Sequence, residues 1–233
     1  MLRAHALTVT RSGRPLLDAV DLTVPPGALV ALVGPAGAGK TLLLETFLGR
    51  HRPAAGTVRV AGLDVAGRPA IAAPHLAWVP AQPSFDPALS PLAHLAAACR
   101  ALGRRMPEPV LRAALLRSGL ALAHHERPLR GAPPAIARQL AFTVAALHNV
   151  DAWLLDEPAR DLDPAAQAVL VAGLRRLRKR GAAVLLATRD LDFARSLATQ
   201  IVTLDAGAVV ADIAPHVSRR DHADASYLSA LVG

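Results

Sequence analysis

The residues whose types and spacing point most directly to chemistry form a glycine-rich run that ends in lysine and threonine. The run is Gly34-Pro35-Ala36-Gly37-Ala38-Gly39-Lys40-Thr41, which satisfies the pattern G-x-x-x-x-G-K-[ST]. Its glycines let backbone N–H groups converge on phosphate oxygens, and a helix that begins there adds a favourable dipole. Lys40 is then expected to reach the β- and γ-phosphates of a nucleotide, and Thr41 to offer its hydroxyl to Mg²⁺. Because the chain has only two lysines, a chance Gly/Ala turn followed by lysine is a poor explanation.

A second group of candidates closes an apolar segment late in the chain, Trp153-Leu154-Leu155-Asp156-Glu157. If this segment is a strand, Asp156 lies beside Mg²⁺, and Glu157 is placed to orient or deprotonate an attacking water. Alone, an apolar strand that ends in two carboxylates is usually a solvated strand end. Together with the glycine-rich run it predicts a site for Mg²⁺ and a nucleoside triphosphate, with Lys40 and Glu157 as catalytic candidates.

These candidates need elements that position them, and the hydrophobic pattern predicts strands that alternate with helices. The predicted strands are residues 7–10, 20–24, 29–33, 57–60, 76–79, 152–155, 183–188 and 201–204. The predicted helices are residues 41–48, 92–102, 110–122, 135–148 and 164–178, followed by a short one after residue 188. Alternation around apolar strands predicts an α/β fold with a mostly parallel core sheet, preceded by an N-terminal antiparallel β subdomain.

Residues 87–131 differ from the sequence around them, since they are rich in Ala and Leu and carry helical periodicity with little strand signal. We interpret them as a helical lobe inserted into an α/β core. The whole chain, 1–233, is then one domain. Its predicted parts are a core of residues 1–86 and 132–215, the lobe 87–131 and a C-terminal tail, 216–233.

Composition limits the classes of function. A chain of 233 residues with 52% hydrophobic and 19% charged side chains can bury a substantial core, which argues against wholesale disorder. The net charge of +8 suits an anionic partner, but the abundance of Arg, Ala and Pro suggests a coding bias behind most of it. Only 3% of the residues are aromatic, so the chain has few side chains that could stack on nucleobases. We therefore expect no nucleic-acid partner.

The protein is expected to be soluble or peripheral to a membrane. No segment has the length and hydrophobicity of a transmembrane helix, and the N-terminal sequence lacks the apolar core of a signal peptide. The single cysteine, Cys99, excludes an intramolecular disulfide framework and agrees with a reducing compartment.

Across nearly its whole length the sequence resembles the nucleotide-binding domain of ATP-binding-cassette (ABC) transporters. The resemblance rests on the glycine-rich run, the helical lobe, Leu154-Leu155-Asp156-Glu157-Pro158, and Asp161-Leu162-Asp163-Pro164. The last segment is similar to the family's D-loop, with Asp163 at its aspartate. The resemblance implies a P-loop NTPase fold of the ABC ATPase type, which binds ATP and Mg²⁺. It also implies a head-to-tail dimer beneath transmembrane subunits, in which each ATP lies between one phosphate loop and the partner's LSGGQ signature.

The signature motif is the main departure from the family pattern. By its spacing from Asp156 it falls on Ala132-Pro133-Pro134-Ala135-Ile136. In the family, the serine hydroxyl and glycine amides at this helix start donate to the partner's γ-phosphate. Proline has no N–H, so Pro133 and Pro134 each remove a donor, although both are acceptable at the start of a helix. A register at residues 129–133 recovers a Leu and a Gly but breaks the spacing. We therefore expect this chain not to complete a partner's ATP site in the usual way.

Three further family positions also differ. Arg189 replaces the switch histidine, and its charge is expected either to touch the γ-phosphate, to pair with Glu157 and lower the basicity of that carboxylate, or to face solvent. The Q-loop glutamine position holds Ala81, so that a slip of one residue makes Gln82 the candidate. The aromatic residue that stacks on adenine is absent, and Arg11 stands near its place.

The sequence therefore favours an ATP-binding subunit of an ABC-type membrane transporter, paired with a more complete ABC subunit as a heterodimer rather than a homodimer. Any ATP hydrolysis is expected to be weak or to depend on that partner. The alternative is a regulatory or structural subunit that binds nucleotide without hydrolysing it. An ABC protein of translation fits less well, since such proteins usually carry two cassettes or long coiled coils. Other phosphate-loop enzymes do not explain residues 154–164 as a block.

Overall fold

The computed structural model describes residues 1–213, so the predicted tail, 216–233, lies outside the described residues. The chain divides into two compact units. The first contains residues 1–76, 150–157 and those from 176 onward, and the second contains residues 77–149 and 158–175. The second unit includes the predicted lobe and extends beyond it on both sides.

Ten strands and seven α-helices are described within residues 1–213. In chain order they are β1 (Leu2–Arg11), β2 (Arg14–Val24), β3 (Leu29–Val33), α1 (Lys40–Phe47), β4 (Ala55–Val60), β5 (Leu63–Asp64), α2 (Pro69–Ala72), β6 (Leu76–Val79), α3 (Pro91–Ala101), α4 (Glu108–Arg117), α5 (Pro134–Ala145), β7 (Ala152–Asp156), α6 (Pro164–Lys179), β8 (Ala183–Thr188), α7 (Leu191–Leu197), β9 (Gln200–Asp205) and β10 (Ala208–Ile213).

The N-terminal strands form an antiparallel sheet in the order β2-β1-β4-β5. Strands β1 and β2 pair as a hairpin that ends with Arg11 opposite Arg14. Ser12 and Gly13 turn the chain with φ values of 51° and 76°. Two consecutive positive φ angles are typical of the tight turn whose twist matches that of the paired strands. The predicted antiparallel subdomain is confirmed.

The larger sheet has six strands in the order β10-β9-β3-β8-β7-β6. Strand β3 pairs in parallel with β8 and β9, and β7 pairs in parallel with β8, while β10 returns antiparallel to β9. Every residue of β3, β7 and β8 is buried, as expected for parallel strands covered on both faces. The predicted α/β class with a mostly parallel core sheet is therefore confirmed.

The parallel register brings the candidate residues of the first unit to one edge of this sheet. Val33, the last residue of β3, pairs with Thr188, and Asp156 pairs with Ala187. The segments that follow these strands are the glycine-rich run, Glu157 and Arg189. Ligands of open α/β sheets bind at the carboxyl ends of parallel strands, so this edge is the place to look for a site.

The second unit has a core of its own, built from α3, α4 and α5. Its buried members are Leu95, Cys99, Leu111, Leu115, Leu120, Ile136 and Leu140. Helix α3 begins after Ser90, whose hydroxyl accepts the N–H of Ala93 at 3.2 Å, and Pro91 occupies its first turn. A serine cap followed by proline is a strong helix start, which explains why the sequence predicted this helix well.

The structure differs from the predicted elements mainly where the signal is short. It contains β5, α2 and β10, which the sequence analysis did not predict, and the predicted helix 110–122 ends at Arg117. Gly119 has a φ of 88° just after that end, and a left-handed glycine there stops the helix. Among residues 1–213, no helix is both long and apolar enough to span a bilayer.

Candidate nucleotide-binding site

The glycine-rich run connects β3 to α1 and is packed closely enough to require its glycines. A Cβ at Gly34 would lie 2.0 Å from the carbonyl oxygen of Leu204 in β9. A Cβ at Gly39 would lie 2.8 Å from Cδ2 of Leu17 in β2, and Gly39 precedes α1 with a φ of 101°. The run is therefore held by strands of both sheets in the shape that lets backbone N–H groups face a phosphate.

Lys40 is the first residue of α1 and is 7% exposed. Its Nζ donates to the carbonyl oxygens of Gly34 at 2.5 Å and Pro35 at 2.8 Å. Burial lowers the pKa of Lys40, while the nearby carboxylates of Glu157 and Asp156 raise it. The ammonium is thus positioned by its own loop, at the point where the pattern predicts a contact with phosphate.

Thr41 and Asp156 meet as the sequence predicted for a magnesium site. The hydroxyl of Thr41 donates to Oδ2 of Asp156 at 2.6 Å. Asp156 is 2% exposed, and this burial raises the pKa of its carboxyl group, which the bond from Thr41 lowers and the charge of Glu157 raises further. A hydroxyl and a buried carboxylate suit Mg²⁺, which prefers hard oxygen ligands. The residues present fit this ion.

Glu157 follows β7 with a φ of 46°, which is unusual for a non-glycine residue. Its N–H donates to the carbonyl oxygen of Ala187 at 2.8 Å, and its Oε2 accepts from the hydroxyl of Thr188 at 3.1 Å. Nε of Arg189 lies 3.5 Å from Oε1 of Glu157, although the arginine side chain remains 51% exposed. Of the three expectations for Arg189, the structure contains the ion pair with Glu157.

Thr188 belongs to this arrangement, but sequence reasoning treated it only as the last residue of a strand. Its side chain is 2% exposed, and its hydroxyl donates to Glu157 while accepting the N–H of Asp190 at 3.1 Å. The available signal was a hydroxyl residue at the end of the strand that precedes the switch position. Thr188 therefore helps to fix the position of the Glu157 carboxylate.

Two predicted site residues, Gln82 and Asp163, lie in the second unit. Gln82 is exposed and its side chain has no hydrogen bond to another residue of the described chain. Oδ1 of Asp163 accepts the N–H of Ala166 at 2.7 Å, so its carboxylate caps the start of α6. Arg138 of α5, which sequence reasoning missed, donates to the carbonyl oxygen of Ala81 at 2.8 Å.

The start of α5 contains the residues that the sequence analysis aligned with the signature motif. Pro133 precedes the helix with a φ of −55° and Pro134 is its first residue, with no side chain capping this end. The N–H of Ile136 donates to the carbonyl oxygen of Pro133 at 3.0 Å. Two of these positions therefore have no N–H, and a third uses its N–H within the turn.

Arg11 stands at the end of β1, opposite Arg14. Both side chains are exposed, and neither forms an ion pair within residues 1–213.

A tight glycine-rich loop between a parallel strand and a helix, with its lysine and with a threonine and an aspartate placed for Mg²⁺, defines a P-loop NTPase site. The family model described as ABC transporter matches residues 17–160. The chain belongs to the ABC transporter family.

Individual comparisons agree with this assignment. The chain is 39% identical over 214 residues to a putative ABC transporter ATP-binding protein of Streptomyces avermitilis, covering 89% of this chain and 37% of that protein. It therefore spans little more than a third of that relative. It is 37% identical over 169 residues to the cytochrome c biogenesis ATP-binding export protein CcmA of Cupriavidus pinatubonensis, covering 72% of this chain and 74% of that protein. A solved structure of an ATP-binding subunit of an ABC transporter superimposes with a TM-score of 0.83 at 25% identity, covering 100% of this chain and 95% of that one.

Proposed function

We propose that this chain is the ATP-binding subunit of an ABC-type membrane transporter, located on the cytoplasmic face of the cell membrane beneath transmembrane subunits. The observation that carries the proposal is the pairing of Thr41 with Asp156 at 2.6 Å beside the buried Lys40. Together these three side chains supply a cation for phosphate and oxygen ligands for Mg²⁺.

Each candidate site residue of the first unit then has a role in binding Mg-ATP. Backbone N–H groups of the run 34–41 and the ammonium of Lys40 bind the phosphates. Thr41 and Asp156 would hold Mg²⁺, which would supply positive charge to the phosphate oxygens. Glu157 orients the attacking water, and Thr188 keeps that carboxylate in place with its 3.1 Å hydrogen bond.

We further propose that the chain pairs with a more complete ABC subunit as a heterodimer. The support is the start of α5, where Pro133 and Pro134 lack N–H groups and the N–H of Ile136 is directed to Pro133. ATP bound by this chain would meet the partner's intact signature, whereas ATP bound by the partner would meet the two prolines. Such an assembly has one impaired ATP site and one site modified by Arg189.

Restoring the signature donors in this chain tests the proposed heterodimer and does not require the partner subunit. The full chain carrying Glu157→Gln, which we expect to bind ATP without hydrolysing it, is compared with the same chain in which Pro133→Ser and Pro134→Gly restore the missing donors. We expect light scattering to show a monomer with ATP in the first case and an ATP-dependent homodimer in the second. An ATP-dependent homodimer of the unrepaired chain would contradict the proposal. So would strong Mg-ATPase activity of the purified wild-type chain that Glu157→Gln abolishes.

The ion pair between Arg189 and Glu157 favours a second candidate, a regulatory subunit that binds ATP without hydrolysing it. A guanidinium 3.5 Å from the carboxylate competes with water for the same oxygen atoms. Arg189→His in the assembled complex distinguishes the two. Faster ATP turnover indicates a catalytic site that Arg189 slows, and unchanged turnover indicates a regulatory one. Arg195→His is the matched control, because Arg195 also follows β8 and pairs with an exposed carboxylate, Asp192, at 3.7 Å.

A further inference from the structure

Two of the lysine and arginine side chains within residues 1–213 are buried, Lys40 at 7% and Arg138 at 4% exposure. The phosphate site explains Lys40, but no part of that site uses Arg138. A buried cation is unfavourable unless its charge and its N–H groups have partners. What Arg138 contacts therefore indicates why it is there.

Arg138 joins two loops of the second unit to one helix. From α5, its Nη1 donates to the carbonyl oxygen of Ala81 at 2.8 Å, and its Nη2 donates to Oδ2 of Asp161 at 3.0 Å. Ala81 directly precedes Gln82, and Asp161 lies two residues before Asp163. One planar guanidinium thus holds the loops that carry both candidate residues of this unit.

The Asp161 contact fixes an unusual backbone conformation. Asp161 has a φ of 62°, in the left-handed region that a non-glycine residue occupies only when surrounding contacts hold it there. Its carboxylate also lies 3.9 Å from Nε of Arg160, which is half exposed and therefore a weaker partner than the buried Arg138. The turn that leads to Asp163 consequently depends on Arg138.

Arginine is the side chain that this geometry requires. Its fork presents N–H donors at fixed angles, so one side chain can serve a backbone carbonyl and a carboxylate at once. Lysine would keep the charge near Asp161, but its single ammonium on a flexible stem does not hold two acceptors in a fixed relation.

We propose that Arg138 is a positioning residue that places Gln82 and Asp163 together, so that both move with helix α5. The inference rests on the proposed function and on the family resemblance, which makes these two residues candidates for binding the nucleotide. Helix α5 begins at Pro133-Pro134, about one turn before Arg138. Even with its signature donors lost, this helix therefore keeps a direct connection to the loops that carry Gln82 and Asp163.

The first test measures hydrogen–deuterium exchange in the isolated full chain. In Arg138→Met we expect exchange to rise about threefold or more in residues 80–86 and 158–163, because both loops lose their anchor. Arg138→Lys is expected to protect residues 158–163 partly and to leave residues 80–86 as fast as in Arg138→Met. If Arg138→Met does not fold, Asp161→Asn gives the same test for residues 158–163, since it removes the charge at the exposed end of the pair.

The control is Arg112→Met. Arg112 belongs to the same unit and also pairs with two acidic residues, Glu108 and Glu126, but its side chain is more exposed. We expect exchange in residues 80–86 and 158–163 to match that of wild type. Wild-type exchange in both segments of a folded Arg138→Met chain would overturn the proposal, as would an equal increase caused by Arg112→Met.

The second test separates positioning from stability. Arg138→Met is expected to bind ATP as tightly as wild type, because the phosphate loop lies in the first unit. In the assembled transporter we expect its kcat to fall about tenfold with little change in KM, since misplaced groups weaken catalysis more than binding. Asp161→Asn should cause a similar loss, and the double variant no further one. A wild-type kcat in Arg138→Met would contradict the inference. Failure of the wild-type chain to bind ATP would instead overturn the proposed function and leave the exchange results valid.

Discussion

At the scale of a single residue, ionisation of Asp156 has two opposing consequences. As a proposed ligand of Mg²⁺, Asp156 would have to be ionised, yet burial raises the pKa of its carboxyl group above the ordinary value of 3.8, and the neighbouring charge of Glu157 raises it further. Because the pKa is higher in the folded chain than in the unfolded one, ionisation costs folding stability. The folded chain therefore has its full stability with respect to this group below pH 3.8, where the carboxyl group is neutral. That stability is lost as the pH rises through the folded pKa. In the absence of Mg²⁺, Asp156 therefore weakens the fold at neutral pH.

Asp156→Asn is expected to raise the melting temperature at neutral pH without Mg²⁺, because the amide can still accept from Thr41 and carries no buried charge. The gain should disappear in acid, where the wild-type carboxyl is neutral, and the variant should lose stabilisation by Mg-ATP. Thermal unfolding across a series of pH values measures both effects. Asp192→Asn, at a side chain that is 95% exposed, is the control and should change little. An Asp156→Asn chain less stable than wild type at neutral pH would contradict this account.

Sequence patterns found some residues of the site and missed others for a physical reason. The sequence predicted Lys40, Thr41 and Asp156, which the structure brings close together, because each belongs to a pattern of neighbours along the chain. Thr188 and Arg138 have partners that are distant in sequence, and neither residue belongs to a motif. Their hydrogen bonds exist only once the strands and helices have packed, so spacing alone could not identify them.

At the scale of elements, the phosphate loop owes its shape to the close approach of strand β9. A Cβ at Gly34 would lie 2.0 Å from the carbonyl oxygen of Leu204, whereas a Cβ at Gly37 would have no atom within 4 Å. The two glycines of one motif therefore have different reasons to be glycine. Gly34 is required by packing, while Gly37 is favoured by its φ of 83°.

Gly34→Ala is expected to destabilise the chain by about 3 kcal/mol, because the backbone atoms it would strike cannot rotate away. Gly37→Ala should lower stability by only about 1 kcal/mol, the cost of a left-handed alanine. Urea unfolding of the two variants measures the difference. Equal losses would show that the loop moves away from β9 freely and is not held by that strand.

Elements with strong end signals were the ones that the sequence predicted best. Ser90 and Pro91 mark the start of α3, and buried apolar runs mark β3 and β8. Strand β10 was not predicted, because its sequence is not a continuous apolar run. It lies at the edge of the sheet, where β9 is its one partner strand among the described residues. This pairing depends on the tertiary structure, so hydrophobic periodicity along the chain does not predict it.

At the scale of the whole molecule, the net charge of +8 is weaker evidence for a nucleic-acid partner than its size suggests. We expect Lys40 to be the cation that contacts phosphate, and several arginines of the described residues, among them Arg112 and Arg189, pair with carboxylates. The net charge alone therefore does not indicate a nucleic-acid partner. Nucleotide binding rather than long-range electrostatics should dominate the response of the chain to anions.

ATP with Mg²⁺ is expected to stabilise the isolated chain by about 2.7 kcal/mol when free ATP is 100-fold above its Kd. For a chain of this size that corresponds to a rise in melting temperature of roughly 5–10 °C. Lys40→Ala should abolish the rise, while Lys179→Ala, at the end of α6, should preserve it. Differential scanning fluorimetry with and without Mg-ATP makes the comparison. An equal rise in Lys40→Ala would place the binding elsewhere.

The hydroxyl of Thr188 also offers a way to observe the site without altering it. Its proton is directed to Glu157, its oxygen accepts from Asp190, and the side chain is 2% exposed. A hydroxyl proton held in this way exchanges slowly with water and should give its own NMR resonance. Its chemical shift would follow the carboxylate of Glu157 through each state of the nucleotide, so the protein contains a native spectroscopic probe beside the carboxylate that we propose orients water.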